Sequence, residues 1–288
     1  MTTVSAWVTP TPHRTLRSVD LVRIVLAIVL FCHPAHALLH PEDARALGQA
    51  LTDRGLPFGD ALAWLALVTV LVCSLALLVR RLVAPAAIGA IAVVAGGLVL
   101  YAPYWFVVGG AAEEGHPGME LNVQLLGCLA GVLWAYWPSV ANRARAVDRG
   151  FDVIRIISAL ALVPHGSLAF LTWDVEGMRG WGEAMTGLGF PCGVALVWGI
   201  KALELTSSLA RLARRLVVPA CVGNLIVIVP GMWIAHHLRW FVNGPGENGV
   251  EFSVVLIAGA VASILAYWPA RQAVPALVPA AGLPSSAR

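Results

Sequence analysis

The sequence predicts an all-α membrane protein, with eight transmembrane helices arranged as two four-helix bundles of the same orientation. Three observations carry this reading. Of 288 residues, 59% are hydrophobic and only 12% charged, with a mean hydropathy of +0.79, whereas soluble domains carry about 25% charged residues. Apolar stretches close to the ~20 residues needed to cross a bilayer recur along the whole chain. The chain also aligns with itself. Together these features exclude a large extramembrane catalytic domain. The net charge of +3 comes from arginines clustered between apolar stretches, so it reflects membrane orientation and not nucleic-acid binding.

The self-alignment places residues 18–39 over 150–171 at an offset of 132, with eight identities in 22 positions that include Asp20/Asp152, Arg23/Arg155 and His33/His165. It continues through Leu56-Pro57 and Phe190-Pro191, Arg80-Arg81 and Arg214-Arg215, Pro85 and Pro219, and Trp105-Phe106 and Trp240-Phe241. Glu120 and Glu251 follow, then Tyr136-Trp137-Pro138 and Tyr267-Trp268-Pro269. We read this as a tandem duplication. It also argues against a cleaved signal peptide, which Arg14, Arg17 and the Ala35-His36-Ala37 sequence imitate, because the same segment recurs inside the chain.

Element by element, helices are expected near 19–39, 60–79, 83–108 and 119–138, then 151–172, 189–210, 216–242 and 250–268. The third and seventh, at about 39 Å for 1.5 Å per residue, are long enough to tilt, and Pro85, Pro103, Pro219 and Pro230 would kink them. The expected organisation is a cytoplasmic tail 1–17, a first repeat 18–138, a cytoplasmic linker 139–149, a second repeat 150–269, and a Pro-, Ala- and Ser-rich disordered tail 270–288. Under this threading one side collects 14 arginines (Arg14, Arg17, Arg23, Arg80, Arg81, Arg143, Arg145, Arg149, Arg155, Arg211, Arg214, Arg215, Arg271 and Arg288) against three aspartates. The other collects four arginines against 12 carboxylates. By the positive-inside rule both termini are cytoplasmic, and four crossings per repeat give both repeats one orientation.

Candidate functional residues are the ionisable groups inside these stretches, each costing about 2.5–3.5 kcal/mol to insert unless paired or hydrated. Lys201 and Glu204, three apart on the sixth helix, either pair with each other or leave Glu204 to line a polar pocket with Arg155. His165 in the fifth helix, and His236 and His237 in the seventh beside Trp233, Arg239 and Trp240, either pack as hydrogen-bonded residues or line a ligand pocket. Glu251 follows the glycine-rich loop 243–249 and either caps the eighth helix or closes the pocket mouth. The tryptophans Trp105, Trp137, Trp181, Trp240 and Trp268 read as an interfacial belt. The five cysteines, Cys32, Cys73, Cys128, Cys192 and Cys221, lack metal-type spacing and read as small buried side chains. No metal site is expected.

Arg155-Ile156, His165-Gly166, Gly189-Phe190-Pro191, Glu204, the Arg214-Arg215 turn, His237 and the loop closed by Glu251 together resemble the DoxX family of small four-helix membrane proteins. The resemblance covers nearly all of the second half. The first half matches through Arg23, His33, Pro57, Arg80-Arg81 and Glu120, but has Val70 opposite Glu204 and Ala102 opposite His237, so it resembles a degenerate copy. Relatives in that family include a membrane subunit of thiosulfate:quinone oxidoreductase and membrane partners of redox and thiol-stress enzymes. The resemblance therefore implies a multi-pass protein of the bacterial inner (cytoplasmic) membrane, with the lipid bilayer and a membrane or redox-enzyme protein as partners. Three functions stay open: a binding or scaffold subunit without independent catalysis, a quinone-linked redox subunit, and a small-molecule transporter. The residues expected to hold a ligand, with quinone as the candidate cofactor, are His165, Glu204, His237, Glu251, Arg155 and Trp240.

Overall fold

A computed structural model describes residues 12–101, 119–138, 141–171, 173–234, 238–241 and 249–268. Those residues are helical or lie in turns, and none forms a strand. The first half contains α1 (Pro12–Leu39), α2 (Pro41–Asp53), α3 (Gly59–Leu78), α4 (Val83–Tyr101) and α5 (Glu120–Tyr136). The second contains α6 (Arg143–Leu160), α7 (Val163–Leu171), α8 (Val175–Gly187), α9 (Gly193–Leu212), α10 (Val217–Ile234) and α11 (Val250–Tyr267).

Among the described residues, six segments are long and apolar enough to cross a membrane: His13–Leu39, Gly59–Leu78, Arg143–Leu171, Gly193–Leu212, Val217–Ile234 and Val250–Tyr267. The other two expected spans are shorter there. The apolar helix of the third runs Val83–Leu98, and α5 has 17 residues, opening on the polar Glu120, Asn122 and Gln124. The disordered-tail expectation and the loop 243–248 lie outside the described residues, as do Trp105, His236 and His237.

Two elements depart from the expected boundaries for local reasons. The helix expected at 151–172 begins instead at Arg143, where the Asn142 side chain accepts a hydrogen bond from Arg145 N at 3.0 Å and caps the helix. It then breaks at Ala161–Leu162, just before Pro164, which has no N–H to continue the ladder. The linker is thus largely helical. Likewise α1 starts at Pro12, inside the expected tail.

The second departure is a pair of amphipathic helices, α2 and α8, that the apolar pattern does not announce. Helix α2 starts on Pro41 with Glu42 and Asp43 in its first turn, favoured by the helix dipole. Helix α8 starts on Asp174, whose side chain accepts from Gly177 N at 2.9 Å. Each ends at a left-handed glycine, Gly55 (φ 82) or Gly189 (φ 91). Each is then clamped onto the next helix by glycine. A Cβ on Gly59 would collide with Gly48 O, and one on Gly193 with Gly182 O. Thr52 donates to Gly48 O at 3.0 Å and Thr186 to Gly182 O at 2.9 Å. The Leu-Pro and Phe-Pro correspondence is therefore the edge of a longer repeated device, α2–turn–α3 and α8–turn–α9.

The two expected bundles share one body. Helix α1 packs on α3 and α11, and α5 on α4 and α6, while α9 lies against α7, α8 and α10. The α1–α11 and α5–α6 contacts both cross between the halves, and a single apolar core runs through Val22, Leu26, Leu129, Phe151, Ile154 and Val255. Small residues permit this approach: a Cβ on Gly131 would lie 2.6 Å from Gly150 O, and one on Gly150 would lie 2.8 Å from Ala135 N. Helix α11 is the most enclosed span, 72% buried against 28% for α3 and α9, so α3 and α9 are peripheral. Their outward side chains, such as Leu65 and Val72, are exposed as lipid-facing residues are.

At the α3–α4 turn, Asp20 accepts from Arg23 at 3.0 Å and also from Arg80 and Tyr136, while Arg23 donates to Leu77 O. The aligned residues make the same links, Asp152 with Arg155 (3.4 Å) and with Arg214, and Arg155 with Arg211 O. Tyr267, aligned with Tyr136, is buried with no partner for its hydroxyl. Arg80 and Arg214 are thus tied through Asp20 and Asp152 to the buried Arg23 and Arg155 as well as being membrane-surface charges, and Tyr136 joins the first of these networks.

Candidate functional site

At the end of the bundle that carries α2 and α8, two His–Glu pairs bridge the halves. His33 Nε2 of α1 lies 2.8 Å from Glu251 Oε2 of α11, and His165 Nε2 of α7 lies 3.4 Å from Glu120 Oε2 of α5. Both carboxylates occupy first helical turns, where backbone N–H groups and the dipole favour them, and both are fully enclosed, at 0% and 1% exposure. The sequence alignment sets His33 over His165 and Glu120 over Glu251 within separate repeats. The fold instead joins each histidine to the glutamate of the other repeat.

The second pair has further charged neighbours. Lys201 Nζ sits 3.1 Å from Glu204 Oε2, and α7 meets α9 beside them: a Cβ on Gly166, next to His165, would lie 2.7 Å from the backbone N of Leu205, next to Glu204. Phe252 lies 5.9 Å from the His165 ring. Glu120, His165, Lys201 and Glu204 thus come together from α5, α7 and α9. Such a cluster offers an ammonium and an imidazole as donors beside two carboxylate acceptors.

The remaining sequence-derived candidates divide. Glu251 belongs to the His33 pair, beside Phe241, whose ring is 5.3 Å from His33 and 4.5 Å from His36. Trp240 contributes its backbone carbonyl to Glu251 N at 3.4 Å. Arg155 is held at the opposite end by Asp152 and Arg211 O, away from the His165 cluster. His237 lies outside the described residues. His33 of the first half is thus paired with a buried carboxylate of the second.

Sequence reasoning missed a second polar cluster. Arg211, counted among the turn arginines, is fully buried. Its Nη1 donates to Asn224 Oδ1 at 3.2 Å and to Ser158 O at 3.4 Å. Asn224 reaches Ser208 Oγ at 3.5 Å, and Gln124 donates to Ser158 Oγ at 3.1 Å. Cys128 and Cys221 lie within electrostatic reach of the guanidinium. The alignment carried a signal: at the offset of Arg80/Arg214, Leu77 stands opposite Arg211 and Ala90 opposite Asn224. Among the described residues, no three His, Cys, Asp or Glu side chains are grouped to hold a metal ion.

Apolar spans, lipid-facing outer residues and buried ion pairs define a multi-pass integral membrane protein. Residues 18–102, the stretch that runs from α1 to α4, match the family model DoxX. The match falls on the half that the motif reading took for the degenerate copy, and it includes Arg23, His33, Pro57 and Arg80-Arg81. No curated protein and no solved structure matches the chain.

Proposed function

We propose that the chain is a ligand-holding subunit of a membrane complex, built from two copies of a four-span unit in one orientation. The observation that carries this is the meeting of Glu120, His165, Lys201 and Glu204 from α5, α7 and α9. Orientation needs only the turn arginines, and the aligned first half does without the Lys201–Glu204 pair, having Leu67 and Val70 instead. Groups that are costly to insert and present in one half only argue for a task. The ligand that fits is amphipathic, with an apolar body to lie among the spans and carbonyl oxygens to accept from Lys201 and His165. A quinone has this chemistry. The charge sorting supports eight crossings with both termini in the cytoplasm of a bacterial inner membrane.

Extraction of the full chain in mild detergent tests the reading by the absorbance of solvent-extracted material and by co-purifying protein. A quinone retained by the native chain and lost in His165→Ala supports the ligand role. A stoichiometric protein partner with no small molecule in the native preparation refutes it and leaves a scaffold.

A further inference from the structure

Arg211 presents a charge problem that the His165 cluster does not solve. It is fully buried in a membrane-spanning body, yet no ion pair joins it to a carboxylate among the described residues. The charged side chain that touches it is a like one, Arg155, which donates to the Arg211 carbonyl and is already engaged with Asp152. Its Nη1 bonds only neutral acceptors, Asn224 Oδ1 and Ser158 O. Its Nε and Nη2 are enclosed and have no acceptor among the described residues.

Those two nitrogens form the side edge of the guanidinium, where two N–H bonds run nearly parallel and suit a single bidentate acceptor. A buried, unpaired cation with two unsatisfied donors is among the most costly arrangements a fold can hold, and here it sits where the aligned half has Leu77. The surroundings are tuned to the same edge. Nη2 lies 3.9 Å from where a Cβ on Gly259 would stand, and Ser158 Oγ would be struck by the same Cβ, so only a residue without a side chain fits beside both groups at this point of α11. Ser158 Oγ accepts from Gln124 at 3.1 Å, which fixes it beside this edge. The first-half residues aligned with Ser158, Arg211 and Asn224 are Leu26, Leu77 and Ala90, all apolar and buried.

We propose that the second half contains a buried site for one small monovalent anion, of halide or nitrate size, bound by the Nε–Nη2 edge of Arg211 beside Ser158. One uncompensated positive charge matches one negative charge. A dianion would replace an unpaired cation with an unpaired anion. The ligand balances Arg211 and fastens α6, α9 and α11 together, so it acts on the stability of the second half independently of any quinone at His165.

The test is the thermal midpoint of the purified full chain in detergent at constant ionic strength, exchanging gluconate for chloride, bromide, nitrate or sulfate. Binding selective for the folded state should raise the midpoint by roughly 5 °C and saturate with the monovalent ions, and sulfate should not substitute. Arg211→Leu, copying Leu77, should abolish the dependence. Equal midpoints in gluconate and bromide, or an unchanged anion dependence in Arg211→Leu, would overturn the proposal. If Arg211→Leu does not accumulate, radioactive chloride carried by the native chain through gel filtration decides: about one ion per chain supports the site, and none refutes it.

Discussion

Replacing Gly131 with alanine probes the contact on which the joined architecture depends. The added methyl would stand 2.6 Å from both Gly150 O and Ile154 Cγ1, and 3.2 Å from Ile154 N, against 3.5–4.0 Å for ordinary packing contacts. Two of the three atoms are backbone, so no rotamer change relieves the clash and α5 must move away from α6 by about 1 Å. Overpacking of this kind costs about 1–3 kcal/mol, and the helix propensity gained by losing a glycine returns at most ~1 kcal/mol. Gly199 supplies the opposite case. It is exposed on α9, and nothing lies within 4 Å of its would-be Cβ, so Gly199→Ala should retain the propensity gain alone. The two variants should therefore differ by about 2 kcal/mol, or roughly 5 °C in thermal midpoint, with Gly131→Ala below the native protein and Gly199→Ala at or above it. Tryptophan fluorescence on heating in one detergent reads both. A Gly131→Ala protein as stable as the native chain would refute the close α5–α6 approach.

Three further outcomes are expected. Tyr136→Phe removes a hydrogen bond to the carboxylate of Asp20 and should cost about 1.5–3 kcal/mol, whereas Tyr267→Phe, whose hydroxyl has no partner, should be neutral or slightly stabilising in the same melts. Lys201→Leu leaves the buried Glu204 carboxylate unpaired and should lower membrane accumulation, measured by immunoblot. Lys201→Leu with Glu204→Val, copying Leu67 and Val70, should restore accumulation but not ligand retention. Cysteines placed at the exposed Arg143 and Glu183 should react with a membrane-impermeant maleimide from opposite sides of the membrane, and labelling from one side only would contradict the threading.

The membrane class and the location of each apolar helix were readable from the sequence, because spanning a bilayer demands a local property: a continuous run of side chains that dissolve in hydrocarbon. The aligned Asp20/Asp152, Arg23/Arg155 and Arg80/Arg214 positions were also visible as identities, since both networks use the same residue types in the same order. Helices α2 and α8 escaped because their stability rests on a favourable first turn (Pro41 with Glu42 and Asp43, or the Asp174 cap), a left-handed glycine and a Gly48–Gly59 or Gly182–Gly193 contact, none of which lengthens an apolar run. The partners of the ionisable groups were legible only where they share a helix, as Lys201 and Glu204 do, three residues apart. His33 with Glu251, His165 with Glu120, and Arg211 with Asn224 are joined by helix packing, and no spacing rule encodes which helices meet. Side-chain volume at α5–α6 and α1–α11 decides that, and with it which buried charges find a partner and which, like Arg211, do not.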